Sequence, residues 1–197
     1  MSSMIQAFEM KNIPLLVDVV RPLWAPHVGD EAFMRFNVEY IIRNNLFEND
    51  LRYELNDEQG EFCASAFFAR KGDTCAVQNW FESESKAFSS DLLKASEMSR
   101  TYLELMDKKT FALMNDDDIK LSLYISRKKG CGSLLLNQIL PNFKERGFKN
   151  LYLWTDVECN WQWYTEHGYE LICEESYEPF SDKDYDYKTF IFKKALT

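Results

Sequence analysis

The chain has 197 residues, 46% of them apolar and 28% charged, with a formal net charge of −9. That is enough apolar material to fill one sizeable core, which sets aside a disordered chain, and the acidic balance argues against a nucleic-acid backbone as partner. The same balance suits a cationic ligand such as an amine, attracted over long range.

The opening stretch MSSMIQAFEMKN has neither the basic region nor the apolar run of a signal peptide. No segment approaches the roughly 18 apolar residues of a membrane span. Five scattered cysteines (Cys63, Cys75, Cys131, Cys159, Cys173) form no C-x-x-C pair, and only His27 and His167 accompany them. No metal site is expected from that set. Free thiols and a cytoplasmic location are expected instead.

In chain order, residues 4–10 contain a short first strand. Residues 13–24 place Leu15, Leu16, Val19, Val20 and Leu23 at helical spacing, with Pro22 and Pro26 crowding the end. Asp30 reads as an N-cap before a second helix that stops near Asn44 and Asn45. Residues 51–55 and FCASAFFAR flank the turn signal NDEQGE, as an antiparallel pair does. Residues 86–114 carry Leu92, Leu93, Met98, Tyr102, Leu105 and Met106 and predict one or two helices.

In IKLSLYIS, Ile119, Leu121, Leu123 and Ile125 alternate with Lys120, Ser122, Tyr124 and Ser126, a strand pattern. The sequence then opens through Gly130-Cys131-Gly132 into a helix over residues 133–146, ended by Gly147 and interrupted by Pro141. An interior proline costs about 3 kcal/mol and favours a kink. LYLWTDV is the next strand, NWQWYTEHGY a short helix, and two final strands flank the acidic loop SDKDYD. The fold class expected is mixed α/β (α+β): one domain, a mostly antiparallel sheet with a central parallel βαβ unit, and flanking helices.

The stretch SRKKGCG gathers three cations in an acidic chain, at the point where a strand enters a helix. The first N–H groups of a helix lack internal partners and the macrodipole adds positive charge, so such an end binds phosphate. Glycine lets the anion reach the backbone. The P-loop pattern is absent, and Leu135 stands where the dinucleotide fingerprint needs its third glycine. A plain basic turn is the competing reading.

Arg127-x-x-Gly130-x-Gly132 resembles the R/Q-x-x-G-x-G/A signature of the GNAT superfamily of acyl-CoA-dependent N-acetyltransferases. Tyr164-Thr-Glu-His-Gly168-Tyr169 is similar to the family's Tyr-x-x-x-Gly-Phe/Tyr motif. The resemblance spans nearly the whole chain, with its specific motifs within residues 119–170. It implies a single N-acetyltransferase domain over residues 1–197, with a helical insertion at about 86–115 serving either as a substrate lid or as packing. It implies acetyl-CoA as co-substrate, bound by the backbone of Leu123, Tyr124 and Ile125 and by Arg127, Lys128, Lys129, Gly130, Cys131, Gly132 and Ser133. It implies direct attack by a primary amine of a small molecule or peptide, an oxyanion-stabilising N–H near Ile125, and Tyr164 as general acid to the leaving thiolate. Tyr164 as an aromatic core residue is the alternative.

Two departures are visible. Val157 stands where the family usually places an Asn, while Asn160, four residues before Tyr164, is carried as a cofactor contact. No base is singled out: Glu82, Asp116, Asp117 and Asp118 are candidates and, equally, solvated loop carboxylates. Cys131 reads as structural, and His167 as a helix-end residue. A second reading keeps the fold and the coenzyme without chemistry, as a CoA-binding or interaction module, and a longer acyl chain fits the motifs as well. The aromatic-rich final strands offer a face to a second copy, as a homodimer would use; no nucleic-acid or membrane partner is expected.

Overall fold

A computed structural model describes residues 4–196. In chain order the elements are β1 (Met4–Ala7), α1 (Ile13–Trp24), α2 (Glu31–Asn44), β2 (Arg52–Asn56), β3 (Phe62–Arg70), α3 (Val77–Glu84), α4 (Ser90–Leu113), β4 (Asp118–Ser126), α5 (Cys131–Glu145), β5 (Asn150–Asp156), α6 (Gln162–Glu166), β6 (Glu170–Ser176) and β7 (Lys188–Ala195). The seven strands form one sheet in the order β1-β2-β3-β4-β5-β7-β6. β4 and β5 run parallel, and the other neighbouring pairs are antiparallel. The expected fold class is the one observed.

Local chemistry sets the starts of three helices. The Asp30 carboxylate accepts from Phe33 N at 2.9 Å and starts α2, while Ser89 Oγ accepts from Leu92 N at the start of α4. α5 begins at Cys131, two residues before the predicted 133, because Gly130 takes a left-handed φ of +84° and turns the chain into the helix. α5 continues past Pro141 to Glu145. α3 is an addition to the predicted elements: its eight residues give too short a run for helical periodicity to stand out. The segment that follows is a 3₁₀ turn and then one 24-residue helix.

The sheet is covered on both faces. α5 lays Leu135, Leu136, Ile139 and Phe143 on one face, against Leu55, Ala66, Phe68, Leu121, Leu153 and Phe192. Phe68 and Phe143 are both fully buried and meet edge-on, 4.7 Å between ring centroids. On the other face α1 and α2 cover Phe62, Phe67, Leu123 and Ile125. Next to them α4 places Tyr102 and Met106 over Tyr187 and Ile191. Phe33, Phe36, Phe81 and Phe88 join α2, α3 and the turn before α4 in an aromatic cluster.

The alternation of β4 is broken at one point. Leu121 packs in the α5 core and Leu123 in the α1/α2 core, although residues two apart on a regular strand share a face. The cause is a bulge: Phe67 pairs with Leu123 and its neighbour Phe68 with Leu121, so Ser122 has no opposite residue. The four apolar residues expected on one face are therefore divided between two cores.

Candidate active site

β4 and β5 pair only from Asp118 to Lys120 against Asn150 to Tyr152. Beyond Lys120 the register to β5 stops, while β4 stays paired with β3 as far as Ser126. The bulge at Ser122 bends β4 at this point, and the Ser122 hydroxyl donates to Asn45 O at 3.0 Å, tying the bend to the end of α2. The two parallel strands thus part at their C-terminal ends, where open α/β sheets bind ligands. A cavity of about 1200 Å³ fills the gap, lined by residues 121–127 of one limb and 153–156 of the other.

The glycine loop forms one wall. Ser126 Oγ donates to Lys128 O at 2.8 Å and accepts from Gly132 N at 3.1 Å, closing the turn on itself. Arg127 N donates to Cys63 O and Cys131 N to Lys128 O, at 2.8 and 3.1 Å. The two glycines have different causes. Gly130 is needed for its positive φ, and a Cβ there would stand in open space; at Gly132 the backbone is ordinary, but a Cβ would collide with the Tyr124 ring.

Of the residues anticipated at this site, Leu123, Tyr124, Ile125, Arg127, Gly130, Gly132, Ser133, Asn160 and Tyr164 all line the cavity. Lys128, Lys129 and Cys131 do not. Lys128 turns to Asp57, Nζ to Oδ2 2.5 Å. That hydrogen bond is the main cause raising the Lys128 pKa and lowering that of Asp57. Lys129 is exposed, and Cys131 packs half-buried against the α5 core. Burial, and then Cys131 itself, pushes up the neighbouring Cys63 thiol.

Tyr164 stands on α6 at the opposite wall. Its ring packs against Tyr169 and Phe192, at 5.3 and 5.6 Å between centroids. Burial is the first cause holding its phenol well above the usual range, followed by Tyr169, Tyr124 and Cys159. It is a protonated hydroxyl at neutral pH, able to donate and not to act as a base. His167 stacks on Trp163 at 3.9 Å, its Nδ1 2.7 Å from Trp163 O, exposed and away from the cavity.

None of the carboxylates considered as a base faces the cavity. Glu82 accepts from Gln78 on the exposed side of α3. Asp116, Asp117 and Asp118 lie at the start of β4, about eight residues and on the order of 26 Å from the glycine loop. Asp117 pairs with Lys149, and Asp118 accepts from Asn115 N and Asn150 Nδ2. Three other carboxylates line the cavity, Asp18, Asp156 and Glu158, and of these Asp156 is the buried one. It is the last residue of β5, 8% exposed, and accepts from Tyr102 Oη at 3.2 Å and Glu158 N at 3.1 Å. Burial first, and then the Asp156 charge, raises the phenols of Tyr102 and Tyr187 far above their ordinary range and the Cys159 thiol to about 12. The signal that would have found Asp156 is its position: an acid closing the parallel strand after the glycine loop.

Neither a family model nor a curated protein matches the chain. Solved structures match in fold. The ribosomal-protein-S18-alanine N-acetyltransferase of Escherichia coli aligns over 100% of this chain and 95% of its own, with a TM-score of 0.55 at 13% identity. Arylalkylamine N-acetyltransferase 2 of Aedes aegypti aligns over 100% of both chains, with 0.54 at 12%. A GNAT-family acetyltransferase of Staphylococcus aureus Mu50 does so with 0.53 at 11%. At such identities the shared property is the fold. Among the described residues no helix is long and apolar enough to cross a membrane, and no group of three or more His, Cys, Asp or Glu is placed to hold a metal ion.

Proposed function

We propose that this chain, built on the GNAT fold, is an N-acetyltransferase that moves an acetyl group from acetyl-CoA to a primary amine of a small molecule or peptide. Donor and acceptor are held together, and the amine attacks directly. The observation that carries the reading is the parting of β4 from β5 after Lys120, which opens the edge of β4 beside a glycine loop at the start of α5.

The chain's own groups fit an acyl-CoA. The open edge of β4 at Leu123, Tyr124 and Ile125 pairs with the amide-bearing arm of the coenzyme as an added strand. The backbone of Lys129, Gly130 and Ser133 meets the pyrophosphate at the positive end of α5, the amides of Cys131 and Gly132 being already engaged within the loop. Gly130 leaves open space for the phosphates, and the Arg127 guanidinium beside it adds charge. Asn160 lines the same limb. Acetyl-CoA supplies the thioester whose acyl group is passed on. Tyr164 donates its proton to the departing sulfur. Tyr102 and Leu103, from the helical insertion at about residues 86–115, line the cavity, which supports reading that insertion as part of the acceptor site.

Calorimetric titration with acetyl-CoA and with CoA tests the reading, using the wild-type chain and Gly130→Asp. Asp tolerates a positive φ better than most residues and brings a carboxylate to the phosphate site. Saturable binding to the wild type, weakened on the order of tenfold or more by the substitution, is expected. A folded wild-type protein that binds neither compound at millimolar concentration overturns it.

A further inference from the structure

We propose that the Asp156 carboxylate and the aromatic wall around Tyr102 form the acceptor's receptor, and that the acceptor is a primary amine carrying an aromatic ring. The inference rests on the acetyl-transfer reading and names its substrate class.

Asp156 is a carboxylate buried at the cavity wall with no cation beside it. Among the described residues it forms no ion pair; its side chain accepts from the Tyr102 hydroxyl and the Glu158 amide, and the Tyr187 hydroxyl and Cys159 thiol also lie close enough to hydrogen-bond it. The ionisable groups its charge acts on most, Tyr102, Tyr187 and Cys159, are neutral acids. Glu158, nearby on the cavity rim, is exposed and accepts from the Tyr185 hydroxyl. Neutral donors compensate a buried negative charge only in part, and a cation placed beside it adds to them. The protein supplies none, and an ammonium ion entering the cavity does.

The wall selects what the ammonium carries. The Tyr102 ring meets Trp154 at 5.5 Å and 77°, Phe180 at 5.2 Å and 59°, and Tyr187 at 5.8 Å and 84°. All four residues line the cavity next to Asp156. Tyr102 and Tyr187 are buried in this cluster, and it is the half-buried rings of Trp154 and Phe180 that offer faces and edges to another ring or a cation. The net charge of −9 draws such a molecule in.

The placement also closes the proton balance. Asp156 takes one proton from the ammonium, and the lone pair so freed forms the C–N bond as the C–S bond breaks. The Tyr164 phenol gives its proton to the leaving thiolate and regains one from the nitrogen as the amide forms. Asp156 then releases its proton to solvent, so one proton leaves per turnover.

The test measures thiol release from acetyl-CoA with 2-phenylethylamine, tryptamine, butylamine, spermidine and an unmodified tripeptide. Calorimetry on the CoA-bound protein with 2-phenylethylamine and its uncharged analogue 2-phenylethanol accompanies it. The aryl amines are expected to exceed butylamine by about tenfold in kcat/KM, because the ring contacts add to the ammonium contact. 2-Phenylethanol is expected not to bind. Asp156→Asn keeps the shape and the Tyr102 contact, and is expected to lower kcat/KM by on the order of 100-fold with CoA affinity unchanged. If that variant fails to fold, Tyr102→Phe and the two phenyl ligands on the wild type decide. Preference for spermidine or the tripeptide, equal binding of 2-phenylethanol, or full activity in Asp156→Asn overturns the inference and leaves acetyl transfer standing. Absence of CoA binding overturns both.

Discussion

The Tyr124 phenol lies directly over Gly132, so that a Cβ at position 132 would stand 2.2 Å from Oη and 2.7 Å from Cζ. The second glycine of the loop is there to admit a ring. Gly132→Ala should therefore overpack the site and cost about 1–3 kcal/mol, read from the denaturant midpoint. Tyr124→Leu in the same chain removes the obstacle and should recover most of that loss. Simple additivity of the two substitutions would show that the ring is not the cause.

Tyr164→Phe keeps the ring contacts to Tyr169 and Phe192 and removes the proton. With an acceptor amine at saturation, kcat is expected to fall by about 100-fold while the CoA dissociation constant holds. A change confined to KM would make the hydroxyl a positioning group and leave the thiolate to be protonated by water.

Lys120 is fully buried in β4, paired with Asp107 of α4, with the rings of Phe47 and Phe111 at 5.3 and 5.0 Å from its Nζ. The same Asp107 oxygen accepts from Trp154 Nε1 at 2.6 Å. Asp107→Asn leaves the ammonium without a counter-charge and should cost about 3–5 kcal/mol, whereas Lys120→Met with Asp107→Leu should cost much less. Burial holds the Lys120 pKa below its ordinary 10.5, against the opposing pull of Asp107. Between the folded pKa and 10.5 the unfolded chain binds more protons, so this contribution to stability rises with pH. It is fully present above 10.5 and lost as pH falls through the folded value. Lys120→Met should remove that alkaline slope from a stability–pH profile.

Lys128 is held by Asp57 and turned from the cavity. Asp57→Asn removes a negative charge beside the glycine loop and frees the lysine. CoA should bind about 2- to 5-fold more tightly at low salt, and the gain should shrink at 0.15 M as screening sets in. A gain that survives high salt would point to a changed loop conformation instead.

The features legible in the sequence are those written in neighbouring residues. The Asp30 cap, the glycine loop, the strand-helix-strand run from Ile119 and the tyrosine of α6 each have a local signature, and of the twelve positions read as site residues nine line the cavity while Lys128, Lys129 and Cys131 do not. Features that depend on distant partners were not legible. Whether Lys128 faces solvent or cavity is decided by Asp57, 71 positions away. Asp156 and Tyr102 are 54 positions apart and become a pair only when α4 crosses β5. α3 was hidden by its length, and the change of face along β4 by a single unpaired serine that no periodicity marks.

That serine carries an evolutionary corollary. If Ser122 were deleted, β4 would return to a regular two-residue rhythm, and the residues after it would exchange inside for outside. Leu123, Tyr124 and Ile125, which line the cavity, would turn to the opposite faces, and the bend at the point where β4 parts from β5 would be lost. The cavity thus depends on a count of residues as well as on their chemistry. Its walls are free to diverge toward new acceptors while the insertion stays, whereas an insertion or deletion of one residue in β4 removes the site in a single event.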